Sequence, residues 1–109
     1  MGNLAFTPEV LELIAARFKA LAEPARLQIL QCLRGGEHTV TELVDETGFG
    51  QANVSKHLQQ LHALGFVRRR KEGLFAYYRL ADKSAFRIYD IMCGRLRRDE
   101  CVVAASAAR

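Results

Sequence analysis

Residues 50 to 64 read GQANVSKHLQQLHAL, and the polar side chains in this run are of the kind that hydrogen-bond base edges and phosphates. The amides of Gln51, Asn53 and Gln60 can pair with both polar atoms of an adenine edge, Ser55 can donate or accept, and Lys56 can reach phosphate or guanine. His57 adds a ring that donates or accepts, and Ala52 is small enough to admit a thymine methyl. At about 100° per residue, Val54, Leu58 and Leu61 fall in one narrow arc, so a helix here docks on its domain through a thin stripe. Ala52, Lys56, Gln59 and Ala63 lie opposite that stripe, flanked by Asn53, Ser55 and Gln60. A helix lying in a major groove uses mainly its N-terminal residues, which puts Gln51, Ala52, Asn53, Ser55 and Lys56 first, with His57 and Gln60 behind them. A merely solvated helix is usually rich in Glu and Lys pairs, whereas residues 47 to 71 contain no acidic side chain.

Cys32, Cys93 and Cys101 form the second chemically suggestive set. An odd number of cysteines beside an N-terminus without a basic-then-apolar export pattern predicts reduced thiols in a cytoplasmic protein. Eight residues along an ideal helix is about 12 Å, so Cys93 and Cys101 of one subunit cannot share an ion or a disulfide without unwinding. Two geometries remain. Either Cys93 or Cys101 meets a thiol of another element or subunit and binds a thiophilic ion such as arsenite, or Cys32 and Cys93 form a redox or persulfide pair. The alternative is that the thiols are structurally inert and that control rests on a protein partner or on expression level. A thiol enzyme is disfavoured, because His38, His57 and His62 lie away in sequence from all three cysteines.

These residues need a scaffold, and the rest of the chain predicts one domain over residues 1 to 109. Thr7-Pro8-Glu9 opens a helix to about Ala20, with Val10, Leu13, Ile14, Phe18 and Leu21 on an apolar face. A second helix runs from near Pro24 to Gly35-Gly36, with Ile29 and Leu33 on one side and Cys32 beside them. Thr39 and Glu42 have capping-box spacing for a short third helix that ends before Gly48. After the turn Gly48-Phe49-Gly50 comes the amide-rich helix, which completes a helix-turn-helix outline. Phe66 to Arg70 and Leu74 to Leu80 then read as a β-hairpin with Lys71-Glu72-Gly73 at its tip. Asp82 can cap a last helix over about 83 to 102, where Cys93 shares a stripe with Phe86, Tyr89 and Leu96. No apolar run is long enough to span a membrane.

Charge follows the same division. Residues 1 to 50 carry four basic and seven acidic side chains, residues 51 to 79 six and one, and residues 80 to 109 six and four. A basic field around the amide-rich helix suits a polyanion, with nucleic acid first. Arg68, Arg69, Arg70 and Lys71 put positive charge on both faces of a strand, which suits a wing gripping a phosphate backbone, while Phe75, Tyr77 and Tyr78 read as packing residues.

Taken together, FKALAEPARLQILQCL, VTELVDETGFGQANVSKHLQQLHALGFVRRRKEG, and AYYRLAD followed by IYDIMCGRL resemble the ArsR/SmtB (arsenical-repressor) winged-helix regulators over about residues 10 to 98. The resemblance implies a mainly α fold with a β-hairpin wing: four helices, two strands and a fifth helix. It implies a homodimer joined through the first and last helices, about 7–20 and 83–102. It further implies a repressor on a pseudo-palindromic double-stranded operator, released when a metal, metalloid or other thiol-directed inducer binds. In those terms Thr39 to Glu46 is the support helix, Gln51 to Leu64 the recognition helix and Phe66 to Leu80 the wing. Gly50 stands where the family often has Ser; as a helix cap Gly costs only a few tenths of a kcal/mol. Two departures concern the inducer. The family's thiolate site needs cysteines in the support helix, and TELVDET has none; its zinc site needs histidines in the last helix, and residues 82 to 109 have none. The sulfide-sensing branch would place its second-helix cysteine at Gln31, one residue from Cys32 and therefore about 100° away around the helix.

Overall fold

The computed structural model describes residues 7–96 and residue 100. Its elements run α1 (Pro8–Leu21), α2 (Pro24–Leu33), β1 (His38–Thr39), α3 (Val40–Thr47), α4 (Gln51–Ala63), β2 (Val67–Glu72), β3 (Phe75–Leu80) and α5 (Ser84–Arg95). The mainly helical winged helix-turn-helix order is the one expected, with one strand added.

Local chemistry explains the helix starts. Thr7 caps α1 by accepting from the Val10 amide, with Pro8 at the first helical position. At α3 both halves of the capping box form: the Glu42 amide donates to Thr39 Oγ1 at 3.1 Å, and the Thr39 amide donates to Glu42 Oε1 at 2.7 Å. Gly48 closes α3 with φ of 76°, a left-handed value that glycine adopts without strain, and so directs the chain into the tight turn before α4. α4 begins at Gln51 behind Gly50, which lacks a side-chain cap, so glycine there does not prevent the helix.

The core gathers Ile29, Leu30 and Leu33 from α2, Leu43 from α3, Val54, Leu58 and Leu61 from α4, Val67, Tyr78 and Phe86. The thin stripe of α4 therefore suffices to seat it, and Cys32 packs partly buried against the same cluster. The apolar face expected on α1 behaves differently. Leu13, Ile14 and Phe18 stay exposed, as does Leu11 beside them, whereas Val10 is half-buried and Leu21 packs half-buried against the core.

Three boundaries differ from expectation. β1 is the added strand: it has two residues ahead of α3, too few to carry a period, and it pairs antiparallel with β3 through His38–Tyr78 and Thr39–Tyr77. The sheet order is β1-β3-β2. The hairpin turn is Gly73-Leu74 rather than Lys71-Glu72-Gly73, because Gly73 takes φ of 60° and lets pairing continue to Glu72–Phe75. Asp82 does not cap α5 directly. Its Oδ1 accepts from the Ser84 amide at 2.8 Å and from Ser84 Oγ at 2.5 Å, one residue ahead of the cap position held by Lys83. The described stretch of α5 ends at Arg95, with Leu96 extended (φ −70°, ψ 148°), and residue 100 is again helical. Gly94, a poor helix former, lies in that last turn. Cys101 and the last residues of the expected helix, Glu100 apart, lie outside the described residues.

Candidate nucleic-acid interface

α4 leaves Gln51, Ala52, Asn53, Lys56, Gln59 and Ala63 exposed and holds Ser55 half-buried. All five leading candidates therefore sit on or beside the outward face, and no carboxylate of α4 competes with them. His57 and Gln60 are placed otherwise. His57 is half-buried, and its Nδ1 is shut from solvent without a hydrogen-bond partner among the described residues, so the rest of the ring is what a groove could meet. Gln60 is exposed, but its Oε1 accepts from Arg26 Nη1 at 2.5 Å, which commits that amide oxygen to α2.

The strand period sorts the four basic wing residues. Val67 is buried with Leu58 and Leu61 of α4, so Arg69 and Lys71 follow it on the side of the hairpin that faces α4. Arg68 and Arg70 lie on the opposite face. Arg70 is held there: its Nη2 meets Glu37 Oε1 at 2.9 Å, its Nη1 bonds Glu72, and its guanidinium lies 4.6 Å from the Tyr77 ring centroid. Glu37 and Glu72 raise the Arg70 pKa further, and Arg70 in turn lowers that of Glu37. Arg70 thus clasps the wing to the segment before β1, and its charge is spent inside the protein rather than held out for a phosphate. Lys71, Arg68 and Arg69 stay exposed.

Sequence reasoning passed over Arg79. It pairs in register with Arg68, so two guanidinium groups oppose each other on the outer face of the hairpin. Like charges directly opposite destabilise a sheet, and here Asp82 near Arg68 and Glu37 near Arg79 counter the repulsion. The hairpin register was the signal that could have exposed this pair. Of the residues read as packing, Tyr78 is buried and Tyr77 lies under Arg70, whereas Phe75 is exposed next to Leu74, which is 98% exposed at the tip.

The cysteines occupy unlike surroundings. Cys32 and Cys93 are both free thiols. Burial, reinforced by hydrogen bonding and repulsion from the Glu46 carboxylate, pushes the Cys32 thiol up to about 11. Glu46 also accepts from His38 Nε2 at 3.1 Å, while His38 Nδ1 meets the Gly36 carbonyl at 2.8 Å. Both partners accept, so both bonds form together only when the ring carries two protons. Burial alone would lower the His38 pKa, but the bonds to Gly36 and Glu46 lift it above its ordinary value. Cys93 is exposed on α5 and borders a cavity with Leu27, Tyr89, Met92 and Leu96.

These surroundings predict reactivity. Against a thiol at the reference value of 9.0, one at about 11 has a thiolate fraction roughly 100-fold smaller at pH 8. The greater nucleophilicity of a more basic thiolate restores about a factor of ten. Cys32 should therefore react with iodoacetamide at pH 8 about tenfold more slowly than an unperturbed thiol, read by mass spectrometry of its peptide. Glu46→Gln should narrow that gap.

Neither of the metal sites that the family resemblance brings to mind fits this chain. α3 contains no cysteine, α5 contains no histidine, and among the described residues no group of three His, Cys, Asp or Glu side chains is placed to hold a metal ion. Among the described residues, no helix is long and apolar enough to cross a membrane.

Residues 23–69 match the family model described as bacterial regulatory protein, arsR family. The chain is 39% identical over 75 residues to an uncharacterized HTH-type transcriptional regulator of Methanocaldococcus jannaschii, covering 68% of this chain and 84% of that protein. It is 42% identical over 65 residues to a probable mercury resistance operon repressor of Streptomyces lividans, covering 60% of this chain and 52% of that one. An HTH-type transcriptional regulator of Mycobacterium tuberculosis is 37% identical over 83 residues, covering 76% of this chain. The chain spans 37% of that regulator and 52% of the mercury repressor, about a third to a half of these two curated relatives. Among solved structures, the homodimeric winged helix-turn-helix DNA-binding domain of a possible ArsR-family regulator from Mycobacterium bovis superposes with a TM-score of 0.70 at 37% identity, covering 77% of this chain and 78% of that one. NolR from Sinorhizobium fredii gives 0.73 at 31% identity, covering 80% and 90%. By its sequence and its fold, this chain belongs to the ArsR family of bacterial regulatory proteins.

Proposed function

We propose that the chain is a cytoplasmic homodimeric repressor that lays α4 in the major groove of a double-stranded operator and grips the flanking backbone with its wing. The observation that carries the reading is the outward face of α4, where Gln51, Asn53 and Lys56 stand exposed without an acidic neighbour, beside Arg69 and Lys71 on the near side of the hairpin. Amides and a lysine at a helix N-terminus supply base-edge and phosphate contacts, and the wing supplies cations for the backbone. Dimerisation is supported by the exposed apolar face shared by α1 and α5 and by the homodimeric state of the Mycobacterium bovis neighbour. The mercury repressor relative supports repression as the outcome.

Release by a thiol-directed inducer would then fall to Cys93 rather than Cys32. Cys93 is open to reagents on a helix of the dimer face, whereas Cys32 is kept protonated beside Glu46. A soft ion such as arsenite would need a second thiol, which the partner protomer would supply. The Cys32 environment favours a second reading for that residue alone, as an inert packing thiol.

The test is salt-dependent binding to a duplex. Removing one cation that neutralises a phosphate lowers the slope of log affinity against log salt by about 0.9, so Lys56→Ala with Arg69→Ala, which takes away four cations per dimer, should flatten it by roughly 3 to 4. Fluorescence anisotropy between 50 and 200 mM salt reads the slope. Unchanged affinity and slope would overturn the assignment of α4 and the wing.

A further inference from the structure

Arg26, in the first turn of α2, ends in a guanidinium that touches two other helices. Its Nε donates to the Ala20 carbonyl at 2.7 Å, and its Nη2 lies 3.5 Å from the Lys19 carbonyl. Both carbonyls belong to the last turn of α1, at the negative end of its dipole, where the Lys19 carbonyl also accepts from the Ala22 amide at 3.1 Å. The remaining arm, Nη1, reaches Gln60 Oε1 at 2.5 Å on α4. A guanidinium is planar and rigid, so these bonds fix the end of α1 and the last turn of α4 relative to one another.

The position of Gln60 gives the link its consequence. α4 is seated by the single stripe Val54, Leu58 and Leu61, and a helix held along one line can roll about it. Gln60 stands off that stripe, where a tether resists rolling. A roll of 10° would carry a side-chain tip 5–6 Å from the helix axis through about 1 Å, enough to break a hydrogen bond to a base edge.

We propose that Arg26 is the positioning residue of the recognition helix, setting the roll of α4 against the C-terminus of α1 through Gln60. The assignment rests on the DNA-binding reading of α4. It gives Gln60 a different task from base contact, and it joins the helix of the dimer face to the helix of the groove through one side chain.

A double-mutant cycle tests it. The parent protein selects its preferred 30-base-pair duplex from a random-sequence pool; Arg26→Met, Gln60→Leu and the double variant are then titrated with that duplex and with the unselected pool. Each single variant is expected to lose about tenfold on the selected duplex and less than twofold on the pool, with the double variant no weaker than the weaker single. Selection repeated with Gln60→Leu should show weakened preference at several base pairs together. Gln60 is exposed and that substitution leaves the Arg26 bonds to α1 in place, so it decides the matter even if Arg26→Met melts below the assay temperature. Parent-like binding by Gln60→Leu, penalties that multiply in the double variant, or a preference weakened at one base pair only would overturn the proposal. A parent that enriches no sequence would overturn the DNA-binding reading itself, and this assignment with it.

Discussion

Phe18→Glu should convert the dimer to folded monomers and lower operator affinity by at least 100-fold. Phe18 is 56% exposed on the protomer and takes no part in its buried core. It nevertheless lines an apolar groove of about 410 Å³ between α1 and α5, with Leu21, Leu27, Ile88, Tyr89 and Met92. Ile14 extends the same surface alongside Phe18 and Ile88. A contiguous apolar face of this kind on a small domain marks an interaction surface. In a two-fold dimer the substitution occurs twice. Each buried phenylalanine is worth about 1.5–3 kcal/mol, so the pair accounts for about 3–6 kcal/mol, or two to four decades in the dimer constant, before the cost of burying two carboxylates. Monomers then lose the gain from placing two recognition helices on one duplex. Light scattering after size exclusion reads the mass, circular dichroism the fold, and anisotropy the affinity. A variant that remains dimeric would remove α1 from the interface, and a monomer with parent affinity would remove the need for a dimer.

How much of this could be read from the sequence depends on how local each signal was. The capping box at Thr39 and Glu42, the Gly48 turn and the Val54, Leu58, Leu61 stripe all rest on residues within a turn or two of each other, and they formed as read. β1 has only two residues and exists because β3 offers an edge, so no period announced it. Arg70 illustrates the limit for the site. Its type and neighbours suited a phosphate grip, but Glu37, 33 residues away, lies where the folded sheet can spend that charge. Gln60 is the same case, drawn toward α2 by a partner 34 residues earlier. The exposed apolar residues of α1 mark a different boundary, since periodicity shows that a face is apolar and says nothing of whether it packs within the protomer or against a second one.

Leu58→Ala should cost about 2–5 kcal/mol of stability, the range for removing a fully buried leucine where the surroundings only partly collapse. Leu58 has no exposed surface and packs among Leu43, Val54, Leu61 and Val67, where α3, α4 and β2 meet. Only three side chains of α4 are fully buried, so the loss of one has little redundancy to absorb it. Domains of ordinary stability have about 5–15 kcal/mol in total, and small ones lie toward the lower end. At roughly 4 °C per kcal/mol for a chain of this size, the melting temperature should fall by about 8–20 °C. Lys56→Ala, two residues earlier and exposed, should move it by no more than about 2 °C while weakening DNA binding. The contrast separates the two sides of one helix: the inner stripe sets whether α4 is folded, and the outer face sets what it touches. Because the proposed dimer would add concentration-dependent stability, both variants must be melted at the parent's protomer concentration. A shift below about 4 °C for Leu58→Ala would mean that the stripe is not what seats the recognition helix.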